Sequence, residues 1–242
     1  MKLALLHARA QLRQLARYPT FLVPTLVLPV AFFVAFGLPR RHTDPAVLMA
    51  SFSAYAVLSI AFFQFGVGIA TDREDPWEAY LRTLPVGPGI RFAGRVASAI
   101  AFATAATVPV VVVAVAARPV SLGAAAWCRF ALVLLAGSTP LALLGIALGY
   151  WVPARGALPV ANLLYLGFAY AGGLWTGPSG LPHAVELVAP YLPTRQWGEV
   201  LWAAVRDESW GGSHWLALAA FAAAFGALAA WGYRRDEGQR FR

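Results

Sequence analysis

Apolar residues in this chain gather into six long runs that contain no charged side chain. The runs are Thr20–Leu38, Val47–Ala70, Val96–Ala117, Phe130–Val152, Gly156–Thr176 and Trp215–Tyr233, each 19 to 24 residues long. A helix needs about 20 apolar residues to cross the ~30 Å hydrocarbon core of a bilayer, and a charge held at that depth is costly. The pattern predicts an all-α membrane protein with six transmembrane helices over 20–38, 47–70, 96–117, 130–152, 156–176 and 213–233. One membrane domain covers residues 1–242; no repeat, low-complexity tract or soluble domain interrupts it.

Polar segments outside the runs predict further elements. In residues 2–18, Lys2, Arg9, Arg13 and Arg17 share one arc at helical spacing, with Leu3, Leu5, Leu12 and Leu15 over the rest and Leu6 out of place. That is an N-terminal interfacial amphipathic helix, apolar side in lipid; a solvated stub is the plainer alternative. The run that follows contains Pro24 and Pro29 and is longer than the apolar part of a cleaved signal peptide. Within 71–95, Asp75-Pro76-Trp77-Glu78 reads as a helix start, with a capping aspartate, proline in the first turn and a glutamate able to reach back. Pro85 ends this helix, and Gly87-Pro88-Gly89 is expected to turn the chain. In 177–214, Pro182, Pro190 and Pro193 cut the segment into pieces, and Trp197, Val200, Leu201 and Val205 form an apolar stripe. Two short re-entrant-like helices dipping into the outer leaflet before the sixth span are expected there. The pairs Gly145/Gly149 and Gly173/Gly177 have the spacing that lets helix backbones approach, for packing inside one chain or between two.

Charge sets orientation. The net charge is +8, and 13 of the 19 basic residues fall in segments that alternate to one side: Lys2, Arg9, Arg13, Arg17, Arg73, Arg82, Arg91, Arg95, Arg155, Arg234, Arg235, Arg240 and Arg242. The positive-inside rule places that side, and both termini, in the cytoplasm. Arg40 and Arg41 run against it. Basic residues dispersed in this way orient a membrane protein and do not suggest nucleic-acid binding. The single cysteine, Cys128, excludes an internal disulfide.

Little in the chain points to catalysis. The only lysine is Lys2, outside any glycine-rich turn, so the P-loop arrangement that reaches nucleotide phosphates is missing. His7, His42, His183 and His214 are scattered, with no ligand-spaced pair for a metal. Gly177-Pro178-Ser179-Gly180 resembles the Gly-x-Ser-Gly of rhomboid proteases, but it lies in a Gly/Pro-rich segment and no span carries a central histidine to serve as base; a turn is the better reading. Gln64 and Asn162 are the clearest polar residues inside spans. They form interhelical hydrogen bonds or mark a substrate path. Trp77, Leu81 and Leu84, flanked by Tyr80, give the short loop helix an apolar stripe. Too short to be stable alone, it must rest on lipid, on the rest of the protein or on a partner.

Three stretches carry a family resemblance. Gly68-Ile69-Ala70-Thr71-Asp72-Arg73-Glu74, then Leu81-Arg82-Thr83-Leu84-Pro85-Val86, then Arg91-Phe92-Ala93-Gly94-Arg95 resemble the ABC-2 type transporter permeases in residue type, order and spacing. Leu181-Pro182 and Val188-Ala189-Pro190-Tyr191-Leu192-Pro193 are similar to the segment those permeases carry before the sixth span. Trp77-Glu78-Ala79-Tyr80 departs from them, where members carry a small Gly-Thr-like step. The resemblance implies the plasma-membrane subunit of an ATP-driven exporter, working as a homo- or heterodimer of permease protomers. A separate ABC ATPase subunit would bind ATP and Mg. Helix 76–84 would be the coupling helix that docks on that ATPase through Glu74, Trp77, Tyr80, Leu81, Arg82 and Leu84. The apolar spans favour an apolar or amphipathic cargo over an ion. A membrane assembly or anchoring subunit without transport is the reading from another class; an ATPase that co-purifies separates the two.

Orientation is checked by cysteine labelling. In a Cys128→Ala background, Thr43→Cys is expected to react with a membrane-impermeant thiol reagent on intact cells and Gln239→Cys to be spared. The reverse pattern contradicts the orientation.

Overall fold

The structure is a computed structural model that describes the backbone of residues 19–75, 88–209 and 211–240, and the side chains of 25–75, 95–209 and 211–237. Among the described residues all regular structure is helical, as the apolar runs predict. Helix α1 (Pro19–Phe32) runs on as wider π-helical turns over Phe33–Gly37. Helix α2 (Pro45–Glu74) has a π-helical middle, Ile60–Val67. Then come α3 (Pro88–Ala117), α4 (Ala124–Gly137), α5 (Thr139–Trp151) and α6 (Ala154–Ala171). The short α7 (His183–Glu186), a single 3-10 turn (Ala189–Tyr191), α8 (Pro193–Arg206) and α9 (Gly212–Arg240) complete the order.

Among the described residues, four stretches are long and apolar enough to cross a membrane: Pro45–Glu74, Arg95–Ala117, Ala124–Trp151 and Gly212–Glu237. They match four of the six expected spans. The other two form shorter helices, with an apolar part Thr25–Gly37 in α1 and the 18-residue α6. The helix ends differ from the expected spans because freedom from charge marks the apolar part of a helix and not its limits. Pro88 opens α3 where a turn was expected; its fixed φ suits a helix start and its missing N–H is no loss there. Helix α4 begins six residues before the expected 130 and takes in Arg129, whose Nη2 lies 2.5 Å from Asp207 Oδ1. Helix α9 runs past the expected end at 233 through the polar residues up to Arg240.

Helix α6 stops at Ala171 because the chain closes a Schellman motif. The Gly173 N–H donates to Tyr170 O and the Leu174 N–H to Ala169 O, with Gly173 at φ 80°. Gly177 also has a left-handed backbone, φ 79°. This pair therefore serves a turn and brings no helices together. Ser179 is exposed in a bend of the same turn. Helix α5 ends before Pro153, with Val152 extended as residues preceding proline tend to be.

Helix α2 is the centre. Of its apolar window 94 % is buried, against 17 % for α9. Helix α5 packs between α2 and α9, and Gly145 and Gly149 make that possible. A Cβ on Gly145 would lie 1.9 Å from Ala61 O, and one on Gly149 2.6 Å from the Ile69 Cβ. This glycine pair serves packing within the chain. Bilayer lipid is as apolar as a helix surface, so close approach of this kind supplies much of the attraction between spans.

Helix α8 turns its apolar stripe toward protein, not lipid. Trp197, Val200, Leu201 and Val205 are all buried. The Trp197 Nε1–H donates to Val133 O at 3.2 Å, and the Trp202 Nε1–H to Ser51 Oγ at 2.7 Å. The Thr194 hydroxyl donates to Phe168 O at 2.9 Å. Alpha8 is thereby pinned to α4, α2 and α6, which satisfies the polar atoms that its bulky residues carry inward.

The α2–α5 contact gives a stability test. Gly145→Ala is expected to cost about 1–3 kcal/mol, because the neighbouring group is backbone and the core must strain to admit the methyl. Gly167→Ala, with nothing within 4 Å of its Cβ position, is expected to be neutral or stabilising by up to about 1 kcal/mol. Unfolding in mixed micelles, followed by tryptophan fluorescence, measures both. Equal effects would show that the approach of α5 to α2 does not carry packing energy.

Candidate functional site

The chemistry of the described residues is densest where α2 ends. Asp72, Arg73 and Glu74 are consecutive, so at about 100° per residue they leave the helix in three directions. Each reaches a different part of the bundle. Asp72 pairs with Arg95 at the start of the apolar stretch of α3. Arg73 Nη1 donates to Gly149 O at 2.7 Å and Tyr150 O at 2.9 Å, the last carbonyls of α5. Its Nε and Nη2 lie 2.9 and 2.8 Å from Asp236 Oδ1 on α9. Glu74 Oε1 accepts the Ala154 N–H, the first of α6, at 3.0 Å.

The signs match the helix ends. A cation meets the carbonyl end of α5 and a carboxylate meets the amide end of α6, the favourable arrangement for both helix dipoles. Asp236 is 6 % exposed and the Arg73 side chain 21 %, so the pair is largely desolvated. Aromatic rings close around it. The Arg73 guanidinium lies 5.7 Å from the Tyr150 ring centre, Tyr150 packs edge-on to Tyr233, and the Tyr233 hydroxyl donates to Glu237. Beside it, the Trp151 Nε1–H donates to Leu228 O at 3.0 Å while Arg235 covers the Trp151 ring.

Of the residues singled out in the sequence, Glu74 stands in this cluster. Trp77, Tyr80, Leu81, Arg82 and Leu84 lie outside the described residues, as does the amphipathic segment 2–18. The cluster directly precedes residues 76–87. Gln64 is buried in the π-helical part of α2. Its Nε2 donates to Ser98 Oγ at 3.0 Å, and the Ser98 hydroxyl donates to Arg95 O at 2.8 Å, linking it to α3 beside the Asp72 pair. Gln64 Oε1 has no hydrogen-bond partner. Asn162 is exposed on α6, so the two span amides belong to different environments.

Asp236 was not singled out in the sequence, because it sits in Arg234-Arg235-Asp236-Glu237, which reads as a solvated tail. One signal was available. A carboxylate one turn beyond the last apolar run lies at the depth where a span-end arginine such as Arg73 needs a counter-charge.

No family model matches the chain. A chain of Bacillus subtilis (strain 168) described as a transport permease, YvfS, is 22 % identical over 234 residues, covering 94 % of this chain and 96 % of that one. The likeness runs nearly end to end in both.

The Arg73–Asp236 contact is open to a double-mutant cycle. Arg73→Gln leaves a desolvated carboxylate and is expected to cost about 3–5 kcal/mol. The double variant with Asp236→Asn is expected to be less destabilised than the sum of the single variants by about 0.5–3 kcal/mol. Unfolding in mixed micelles measures all three; strict additivity would mean that the two side chains do not interact.

Proposed function

We propose that this chain is the membrane-spanning permease subunit of an ABC-2 type transporter that exports an apolar or amphipathic cargo. The observation that carries the reading is the cluster at the end of α2. Three consecutive charges tie α3, α5, α6 and α9 to the residues immediately before 76–87. A force applied at 76–87 would be delivered to four helices at once, as a subunit driven by a separate motor requires. The end-to-end likeness to a chain described as a transport permease supports the same reading, as do the four apolar helices of membrane-crossing length.

In this reading the chain has six spans, α1 and α6 being the two shorter ones, and both termini lie in the cytoplasm of a plasma-membrane protein. The chain itself hydrolyses nothing; an ABC ATPase subunit binds ATP and Mg and docks on the coupling helix 76–84 through Glu74, Trp77, Tyr80, Leu81, Arg82 and Leu84. A second permease protomer completes the pathway. The exposed Asn162 lies with Leu163 and Leu166 on a face of α6 suited to line that pathway between protomers.

Leu81→Glu is the direct test, since it places an unpaired charge in the docking contact while leaving every span unchanged. Loss of co-purification with the cognate ATPase, and of transport-coupled ATP hydrolysis, is expected, with membrane insertion intact. Trp77→Ala is expected to weaken the same contact by about 2 kcal/mol or more, the cost typical of a buried aromatic anchor. If both variants retain complex and activity, the helix is not the coupling element.

A further inference from the structure

At the end of the bundle opposite the charged cluster, aromatic rings from α1, α2, α6 and the turn after α6 join into one group around Trp175. Phe36 stacks on Trp175 with centroids 6.1 Å apart and planes 9° apart. Phe32, Tyr55 and Tyr170 approach the same indole at 5.3, 5.7 and 6.1 Å. The group is closed on the α2 side, where Tyr55 is buried, and open on the other, where Phe36 is 49 % and Tyr170 38 % exposed. The Trp175 Nε1–H is buried and has no hydrogen-bond partner.

Two adjacent arginines lie at this end of the bundle, and one of them, Arg40, is placed beside the turn after α6. Arg40 and Arg41 lie in the connection between α1 and α2, whose backbone is held in place by Arg118. That guanidinium donates to Arg40 O, Arg41 O and Thr43 O at 3.1, 3.1 and 3.2 Å. The side chains of Arg40 and Arg41 form no ion pair among the described residues. Arg40 Nη1 lies 3.5 Å from where a Cβ on Gly180 would be, and the Thr176 Cβ 3.9 Å from the same point. The guanidinium therefore sits over the turn that carries Trp175. The asymmetry of charge that orients a membrane protein gives no reason for adjacent arginines at this end. A planar guanidinium fork suits a carboxylate, sulfonate or phosphate, and flat aromatic faces suit a flat apolar body.

We propose that this face binds a small organic anion with a planar apolar body, its rings against Phe36, Trp175 and Tyr170 and its acidic group at Arg40, with Arg41 next to it in the chain. The assignment rests on the reading of the chain as an export permease and names the class of its cargo. A neutral or cationic molecule of the same size would leave the Arg40 guanidinium without a partner, so the face discriminates by charge.

The test uses full-length protein in phosphatidylcholine nanodiscs and two fluorescent probes with the same ring system, anionic anilinonaphthalene sulfonate and neutral phenylnaphthylamine. Empty nanodiscs supply the partitioning background. The anion is expected to bind about tenfold more tightly than the neutral probe, the gain of one hydrogen bond to a charged group. Arg40→Gln with Arg41→Gln is expected to remove that advantage and leave the neutral probe unchanged, while Arg40→Lys with Arg41→Lys retains most of it. Trp175→Leu is expected to weaken both probes. Equal affinity for the two probes, or an unchanged anion affinity in the double glutamine variant, would overturn the proposal. So would loss of anion binding once phosphatidylglycerol is added to the nanodiscs, since headgroups would then be the natural occupant. Binding is read with no ATPase present, so its outcome is separate from that of the docking test.

Discussion

A guanidinium withdrawn from water must find acceptors for its donors, and Arg73 meets that need with atoms from two other helices. Two acceptors are the terminal carbonyls of α5, and the third is a carboxylate of α9. Removing such a charge from water costs several kcal/mol before any partner is counted, so α5 cannot end elsewhere and α9 cannot stop at Tyr233 without leaving Arg73 unsatisfied. The flanking carboxylates extend the constraint. Asp72 holds the start of the apolar stretch of α3, and Glu74 holds the first amide of α6. Four helices are positioned by one turn of a fifth.

The middle of α2 is positioned differently, by proximity of backbone. Gly145 lets α5 come so close to Ala61 that no side chain fits between them. The contact falls where α2 widens into π-helical turns over Ile60–Val67. A π-helix places each N–H on the fifth carbonyl back and leaves a broader, less favourable coil. Here that coil carries Gln64 to Ser98 on α3, so the irregular stretch is bonded to α3 on one side and in backbone contact with α5 on another. Neighbouring helices thereby compensate for a geometry that would be poor in isolation.

The architecture was legible in the sequence to the extent that it follows from absence of charge. The runs 47–70, 96–117 and 215–233 lie inside helices that can cross a membrane, and 130–152 is shared between α4 and α5, which together make such a stretch, because a charge at bilayer depth is costly wherever its partners are. Helix ends were less legible. Arg129 and Asp236 lie within helices because each meets a partner that only folding brings near, Asp207 in one case and Arg73 in the other. Spacing alone also could not separate the two glycine pairs. Gly145 and Gly149 face another helix, whereas Gly173 and Gly177 adopt left-handed turns, and backbone conformation is not written in a four-residue interval. The stripe on α8 was visible, but not what covers it. Trp197 and Trp202 carry indole N–H groups that need acceptors, and protein supplies these where lipid tails cannot. At the charged cluster, the run through Glu74 was recognisable by its residue types, while its main counter-charge lay 163 residues away in sequence.

The same reasoning links the two ends of the bundle. Helix α2 carries Asp72, Arg73 and Glu74 at one end and Phe52 and Tyr55 at the other, where Tyr55 meets Trp175, Phe32 and Tyr165. Between them its first half is buried without interruption from Ala46 to Ser59, so it has no free surface along which to slip. Close-packed interiors transmit displacement because they resist compression. A movement imposed at Glu74 therefore reaches Tyr55 as motion of the whole helix, unless the π-helical stretch absorbs it. That stretch is held by the Gln64–Ser98 bond and the Gly145 contact, so α3 and α5 must move with α2 or yield at these points. The rings around Trp175 lie at the end of this lever. Their packing would respond to displacement at Glu74, with which they share α2 and the helices clamped to it.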